Sequence, residues 1–132
     1  MPLVVAGDGP QLAELRALGG DVRFTGRIGA PELAALRRDA ALAIVPSRYA
    51  EILPLAALEA MAAGLPVVAA RAGGLAGAVP LEGQYPPGDV DGLADRIRAL
   101  YRNAAAGERA LALARARYAP EVVAAQLREV YG

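Results

Sequence analysis

Glu51 and Glu59, eight positions apart, are the side chains of this sequence best suited to chemistry. They lie in the stretch 46–69, PSRYAEILPLAALEAMAAGLPVVA, which reads as strand end, loop, helix, turn and strand. Glu59 is the only polar side chain between Ile52 and Ala63. A helix apolar on nearly every side is expected to be buried. An unpaired carboxylate there would cost at least ~2 kcal/mol or take up a proton. Glu59 is therefore expected to have a partner: a backbone N–H, an arginine from elsewhere in the core, or a pair of ligand hydroxyls. In a continuous helix, at 1.5 Å per residue, the two carboxylates would stand about 12 Å apart along the axis. That exceeds the roughly 5 to 9.5 Å of a glycosidase-type pair, so the two would grip different parts of one long ligand. A helix N-terminus between them offers free N–H groups and a positive dipole end, which suits a phosphate or diphosphate. Carboxylate, anion site and carboxylate would match a sugar, a diphosphate and a ribose.

The neighbouring elements must hold that stretch in place. The apolar run 41–45 suits a buried parallel strand, and Pro46 and Ser47 stop it. Pro54 fits the first helical turn, where a missing N–H costs nothing. Gly64 closes the helix, Pro66 stands just beyond it, and 67–70 is the next buried strand. Upstream, 2–6 is a short strand, and the turn Gly7-Asp8-Gly9-Pro10 leads into a helix over 11–18, with Asp8 placed to cap it. Leu12, Leu15 and Leu18 share one face of that helix. The Gly-Asp-Gly-Pro turn lacks the full G-x-G-x-x-G pattern of a dinucleotide site; a structural turn and a ligand contact both remain open for it. A second strand over 21–26, a loop at Arg27, Ile28 and Gly29, and a helix over 31–38 with Leu33 and Leu36 inward complete the first part.

Beyond the central stretch, Gly73-Gly74 follows a parallel strand, where glycines let backbone approach a ligand closely; a plain tight turn is the alternative. Residues 75–79 form a short helical turn. Pro86 leaves 83–86 as a weak edge strand at best. Helices are expected over 90–103, with Leu93, Ile97, Leu100 and Tyr101 as the apolar face, and over 107–118 and 120–131. Arg96, Arg98, Arg109 and Glu129 read most simply as a solvated outer face. Strands alternate with helices throughout, so the class is α/β with a parallel sheet. Gly7 to Gly9, Arg27, Ser47 to Glu51 and Gly73-Gly74 all fall at carboxyl ends of strands, where such sheets bind ligands.

Composition narrows the chemistry further. The 132 residues suit one domain with a modest core. Fourteen basic residues, all arginine, balance fourteen acidic ones, which argues against a general nucleic-acid binder. Without cysteine or histidine, disulfides, thiol catalysis, the usual zinc sites and a Ser–His–Asp triad are excluded. No apolar run reaches the roughly 18 residues of a membrane span, and no charged leader precedes the first apolar residues. A cytoplasmic location is the expectation.

Glu51 and Glu59 form a Glu-x7-Glu pair inside P-S-x-x-x-E-x7-E-A-M-A-x-G-x-P-V-V-A. This frame resembles the signature of the GT-B-fold retaining glycosyltransferases of group 1, family 4. The similarity extends over nearly the whole chain. Residues 4–10 look like the second strand and turn of the family's donor domain, 22–27 like its third strand, and 86–89 like the stretch before its late helix. The resemblance implies a Rossmann-like parallel sheet flanked by helices, forming the C-terminal, nucleotide-sugar-binding half of a GT-B fold as a single domain over 1–132.

By that resemblance Glu51 is the catalytic residue and holds the donor sugar's hydroxyls, while Glu59 holds the ribose. Ile52, Leu53, Pro54 and Leu55, with Gly73 and Gly74, line the sugar and diphosphate. Arg27 and Ile28 lie on the base side, and Gly7, Asp8, Gly9 and Ser47 face the ligand. The implied reaction is transfer of a hexose with retention from a nucleotide-diphosphate sugar, with no metal bound in the site and no other cofactor. The acceptor, a sugar, lipid or small molecule, would be held by an N-terminal domain lying outside this sequence, and association with a membrane face would be peripheral. A non-catalytic nucleotide-sugar-binding module and a GT-B epimerase or phosphorylase-like enzyme are the alternatives.

The sequence departs from the family in several places. The family's first donor-domain strand and helix, which carry an arginine and a lysine on the diphosphate, have no counterpart here. Leu53-Pro54 replaces an aromatic-glycine pair, and Gly77 stands where many members carry glutamate. In the family's strand order, 3-2-1-4-5-6, the first strand is central. The first strand here is therefore expected either to pair directly with 41–45 or to leave the sheet interrupted there.

Overall fold

The computed structural model describes residues 2–132. The chain forms two compact units, one ending at Asp39 and the other Ala40–Gly132. The first contains β1 (Leu3–Ala6), α1 (Leu12–Ala17), β2 (Val22–Gly26) and α2 (Ala30–Asp39). β1 and β2 pair in parallel, Leu3 opposite Val22 through Val5 opposite Phe24, and the register shifts before Ala6. α1 lies in the crossover that a parallel pair requires.

Val22, Phe24, Leu33 and Leu36 are half-buried, and no described residue of this unit is fully buried. The leucine face of the first helix is not a core face. Leu12 is half-buried, Leu15 is exposed, and Leu18, beyond the end of α1, is 81% exposed. Asp8 does not cap α1. The capping position falls on Gln11, whose side chain makes no cap hydrogen bond. Asp8 Oδ1 instead accepts from the adjacent Gly9 N–H at 2.8 Å, a local bond of the kind short acidic side chains make in turns.

The second unit contains β3 (Ala43–Val45), α3 (Leu55–Ala62), β4 (Val67–Ala70), α4 (Gly74–Ala78), β5 (Gln84–Tyr85), α5 (Val90–Leu100), α6 (Ala104–Tyr118) and α7 (Pro120–Tyr131). Its sheet runs β3-β4-β5, all parallel. Every residue of the central strand β4 is buried. Its side chains alternate between two cores, as a strand dictates. Val67 and Ala69 pack with Ala57, Ala60 and Met61 of α3 and Ala110 and Ala114 of α6. Val68 and Ala70 pack with Tyr85, Leu100 and Ala106. Burial on both faces is why β4 reads as an unbroken apolar run.

Among the described residues β1 pairs only with β2, and β3 only with β4. The described strands thus form two sheets, one in each unit.

Local chemistry sets the helix ends. Gly64, in the left-handed region with φ 77°, lets its own N–H reach Met61 O and the Leu65 N–H reach Ala60 O, at 2.9 and 3.1 Å. This double bond closes α3 as the sequence predicts. The α5–α6 boundary differs from expectation. α5 stops at Leu100, Arg102 turns left-handed with φ 56°, and Asn103 Oδ1 accepts from Ala106 N–H at 3.1 Å. Asn103 is therefore an N-cap, and the alanine run 104–106 is the first turn of α6. β5 is an edge strand of two residues that ends at Pro86.

All three arginines expected on the solvated face have specific partners, Arg98 donating to Asp95 Oδ1 at 2.8 Å. Arg109 holds Glu82 through two hydrogen bonds of 3.0 and 2.9 Å, and Arg96 Nε donates to Gln84 O at 3.2 Å. Among the described residues no helix is long and apolar enough to cross a membrane.

Candidate functional site

Glu51 sits in the loop between β3 and α3, and two contacts fix it. Ser47 donates its hydroxyl to Glu51 Oε1. From the far side of the loop, the Gly74 N–H donates to the Glu51 carbonyl at 2.6 Å. Gly73 has φ 51° and ψ −133°, a combination essentially reserved for glycine. A Cβ at Gly73 would lie 2.7 Å from Glu51 O and 2.8 Å from the Ala50 Cα; at Gly74 it would lie 2.8 Å from Glu51 O. The close approach that the two glycines permit is therefore to the backbone of the Glu51 loop.

α3 starts only at Leu55, so the segment from Glu51 to Glu59 is not continuously helical and the 12 Å spacing of a full helix does not apply. Pro54 occupies the capping position with its ring fully buried, and no side chain caps the helix. The Leu55 N–H bonds to Leu53 O, and those of Ala57 and Leu58 bond to Pro54 O. Among the described residues this leaves the Ala56 N–H as the unpaired donor of the first turn. Around it, Ile52 is 97% exposed, Leu53 57% and Leu55 59%. The start of α3 is thus open, uncapped and flanked by exposed apolar side chains.

Glu59 lies four residues after Leu55, on the same side of α3. It is exposed, so the expectation of an all-round buried helix is corrected. α3 buries only Ala57, Ala60 and Met61; Ala56, Ala62 and Leu55 face outward. Small alanine side chains keep the hydropathy of the helix high without requiring burial on every side. The desolvation argument for a partner of Glu59 falls with that burial, although Glu59 does make an interaction within the chain.

The remaining candidates lie in the first unit. Arg27 is exposed and Ile28 half-buried in the loop after β2. Gly7, Asp8 and Gly9 line an open groove of about 260 Å³ at the carboxyl end of β1. This is below the ~300 to 1,000 Å³ of a complete small-molecule pocket. No group of three His, Cys, Asp or Glu side chains converges among the described residues.

Sequence reasoning placed Ser47 as a ligand-facing residue and missed its bond to Glu51. A spacing of four residues signals a contact in a helix, but carries no such meaning in a loop. It also missed Gln84, which donates to the carbonyls of Ala76 and Val79.

Parallel sheets flanked by helices, with the Glu51 loop and the start of α3 at the end of β3, define an α/β protein with a candidate ligand site at the carboxyl end of a parallel strand. A family model described as "Glycosyl transferases group 1" matches residues 1–103, and the chain belongs to that family. Sulfoquinovosyl transferase SQD2 of Arabidopsis thaliana is 40% identical over 102 residues, 71% of this chain and 20% of its own length. D-inositol 3-phosphate glycosyltransferase 2 of Catenulispora acidiphila is 40% identical over 128 residues, 92% of this chain and 30% of its own length. The crystal structure of HepE from Anabaena in complex with UDP-glucose matches 98% of this chain and 40% of its own, with a TM-score of 0.85 and 26% identity. The chain thus spans between a fifth and a third of the two curated relatives named here.

Proposed function

We propose that this chain binds the nucleotide-diphosphate sugar of a retaining hexosyltransferase. The observation that carries the reading is the fixing of Glu51, by Ser47 and by Gly74, beside the uncapped start of α3. The Ser47 bond occupies Oε1 and leaves Oε2 of Glu51 for the donor sugar's hydroxyls. The α3 N-terminus, with backbone from Ile52 to Leu55, takes the diphosphate, since an N-terminal helix dipole favours negative charge. Gly73 and Gly74 line the same side. Glu59 holds the ribose hydroxyls through its carboxylate.

In the transfer the bond from sugar C1 to the diphosphate breaks, and its electron pair leaves with the diphosphate. An acceptor hydroxyl forms the new C1–O bond on the same face and passes its proton to the departing diphosphate oxygen, which carries the electron pair of the broken bond. Catalysis then consists of holding C1 in place and stabilising the departing charge. No strong base, metal or other cofactor is assigned. The acceptor, whether sugar, lipid or small molecule, is bound by a further N-terminal domain.

Calorimetric titration with UDP, GDP and ADP tests the donor assignment. The HepE complex favours UDP as the tightest of the three. A folded chain that binds none of them refutes the assignment. Transfer that appears only when the N-terminal half of a relative is supplied in trans would separate this reading from a non-catalytic binding module.

A further inference from the structure

Gln84 is the only buried polar residue among those described, 6% exposed. Its backbone is held at the sheet edge by β5 pairing and by Arg96 Nε, which donates to its carbonyl. Side chains alternate along a strand. Tyr85 enters the core with Val68 and Leu100, so Gln84 points to the opposite face, toward α4. There its Nε2 donates to two carbonyls, Ala76 O at 3.1 Å and Val79 O at 2.6 Å.

The sequence explains why α4 needs an outside donor. The helical partner of Ala76 O would be the N–H four residues on, but that residue is Pro80, which has none. Arg117 serves the neighbouring carbonyl, donating to Gly77 O at 3.1 Å. The carbonyl end of α4 is thus held from outside by two side chains. Its other end is Gly73-Gly74, in backbone contact with the Glu51 loop. The arrangement carries a cost, because Gln84 Oε1 is buried without a hydrogen-bond partner. A leucine would fill the space without that cost, so the amide calls for a compensating role.

We propose that Gln84 is a positioning residue for Glu51: it holds the carbonyl end of α4 and thereby fixes the Gly73-Gly74 end on which the Glu51 loop rests. The consequence for ligand binding rests on the assignment of Glu51 to the donor sugar; the positioning itself does not.

The test is site-resolved amide exchange on the whole chain, without ligand, comparing Gln84→Leu with the parent. The expected result is about tenfold or greater acceleration at the Gly74 amide, with the β4 amides of Val68 and Ala69 changed less than about twofold. No acceleration at Gly74, or an equal rise in β4, overturns the proposal. If Gln84→Leu does not fold, Gln84→Asn keeps the amide but falls one methylene short, and the same comparison applies. Failure of both to fold also overturns it, because Gln84 would then hold the unit as a whole.

A second arm titrates UDP-glucose and UDP. Gln84→Leu is expected to weaken UDP-glucose more than UDP; equal loss of both, or loss of neither, overturns the link to the site. A parent chain that binds neither nucleotide refutes the donor assignment, while the exchange result still decides the positioning.

Discussion

The Ser47 hydroxyl donates to Oε1 of Glu51, four residues later in the same loop. A serine at the end of β3 thus orients the carboxylate that stands before α3. Hydrogen bonds to ionised groups contribute about 1.5 to 3 kcal/mol where the geometry holds, and less where water competes. Ser47→Ala should leave the fold intact and free the carboxylate to rotate. UDP-glucose affinity should fall by about 1 kcal/mol, roughly fivefold, while UDP alone, which has no sugar for Glu51 to hold, changes little. Equal losses for the two ligands would show that Ser47 serves the nucleotide rather than Glu51.

Glu59 is exposed on α3, and this sharpens what its removal can do. A buried carboxylate could be retained for the core alone; an exposed one contributes little to stability. Glu59→Ala should shift unfolding free energy by no more than about 1 kcal/mol and weaken UDP binding by about 1 to 3 kcal/mol. Paired denaturation and calorimetry separate the two effects. Unchanged UDP affinity in the folded variant would refute the ribose assignment.

Gly74 and Gly77 lie in one short helix and should respond in opposite ways. A Cβ at Gly74 meets the carbonyls of Glu51 and Ile52, whereas one at Gly77 meets nothing within 4 Å. Gly74→Ala should cost about 1 to 3 kcal/mol through overpacking and abolish UDP-glucose binding by displacing the loop. Gly77→Ala should be neutral or stabilising by up to about 1 kcal/mol, the helix-propensity difference. Urea denaturation of the two variants checks this, and equal destabilisation would contradict the packing argument.

Elements whose burial and ends are set locally were legible in the sequence. β4 is an unbroken apolar run because both its faces are covered, and Gly64 ends α3 because its left-handed turn closes two bonds. The Glu51 loop was legible from Pro46 and Ser47, which stop the strand, and the start of α3 from Pro54. What failed depended on partners distant in sequence. The leucines of α1 have helical spacing but no buried surface opposite them, and spacing alone cannot report that. Asn103 was read as the end of one helix because the three alanines after it carry no periodic signal. The task of Gln84 needed Pro80, α4 and β5 together, and no single window of sequence contains that relationship.

Tyr85 supplies a pH test of the second unit. Burial of its side chain between β4 and α5 pushes the phenol above the ordinary tyrosine value. In the unfolded chain the hydroxyl loses its proton near pH ~10. In the folded chain it does so only at higher pH. Between those two values the unfolded state binds fewer protons than the native one, so stability falls as pH rises. The contribution is complete below pH ~10 and is lost as pH climbs through the raised native value. Tyr85→Phe removes the ionisation while keeping the ring in the core beside Val68 and Leu100. Urea unfolding at pH ~8 and ~10.5 should therefore show a larger alkaline loss of stability in the parent than in Tyr85→Phe. The other four tyrosines and the arginines are common to both chains and cancel in that comparison. Parallel losses would mean that the Tyr85 hydroxyl reaches solvent in the native state and that the α5 side of β4 is more open than its packing indicates.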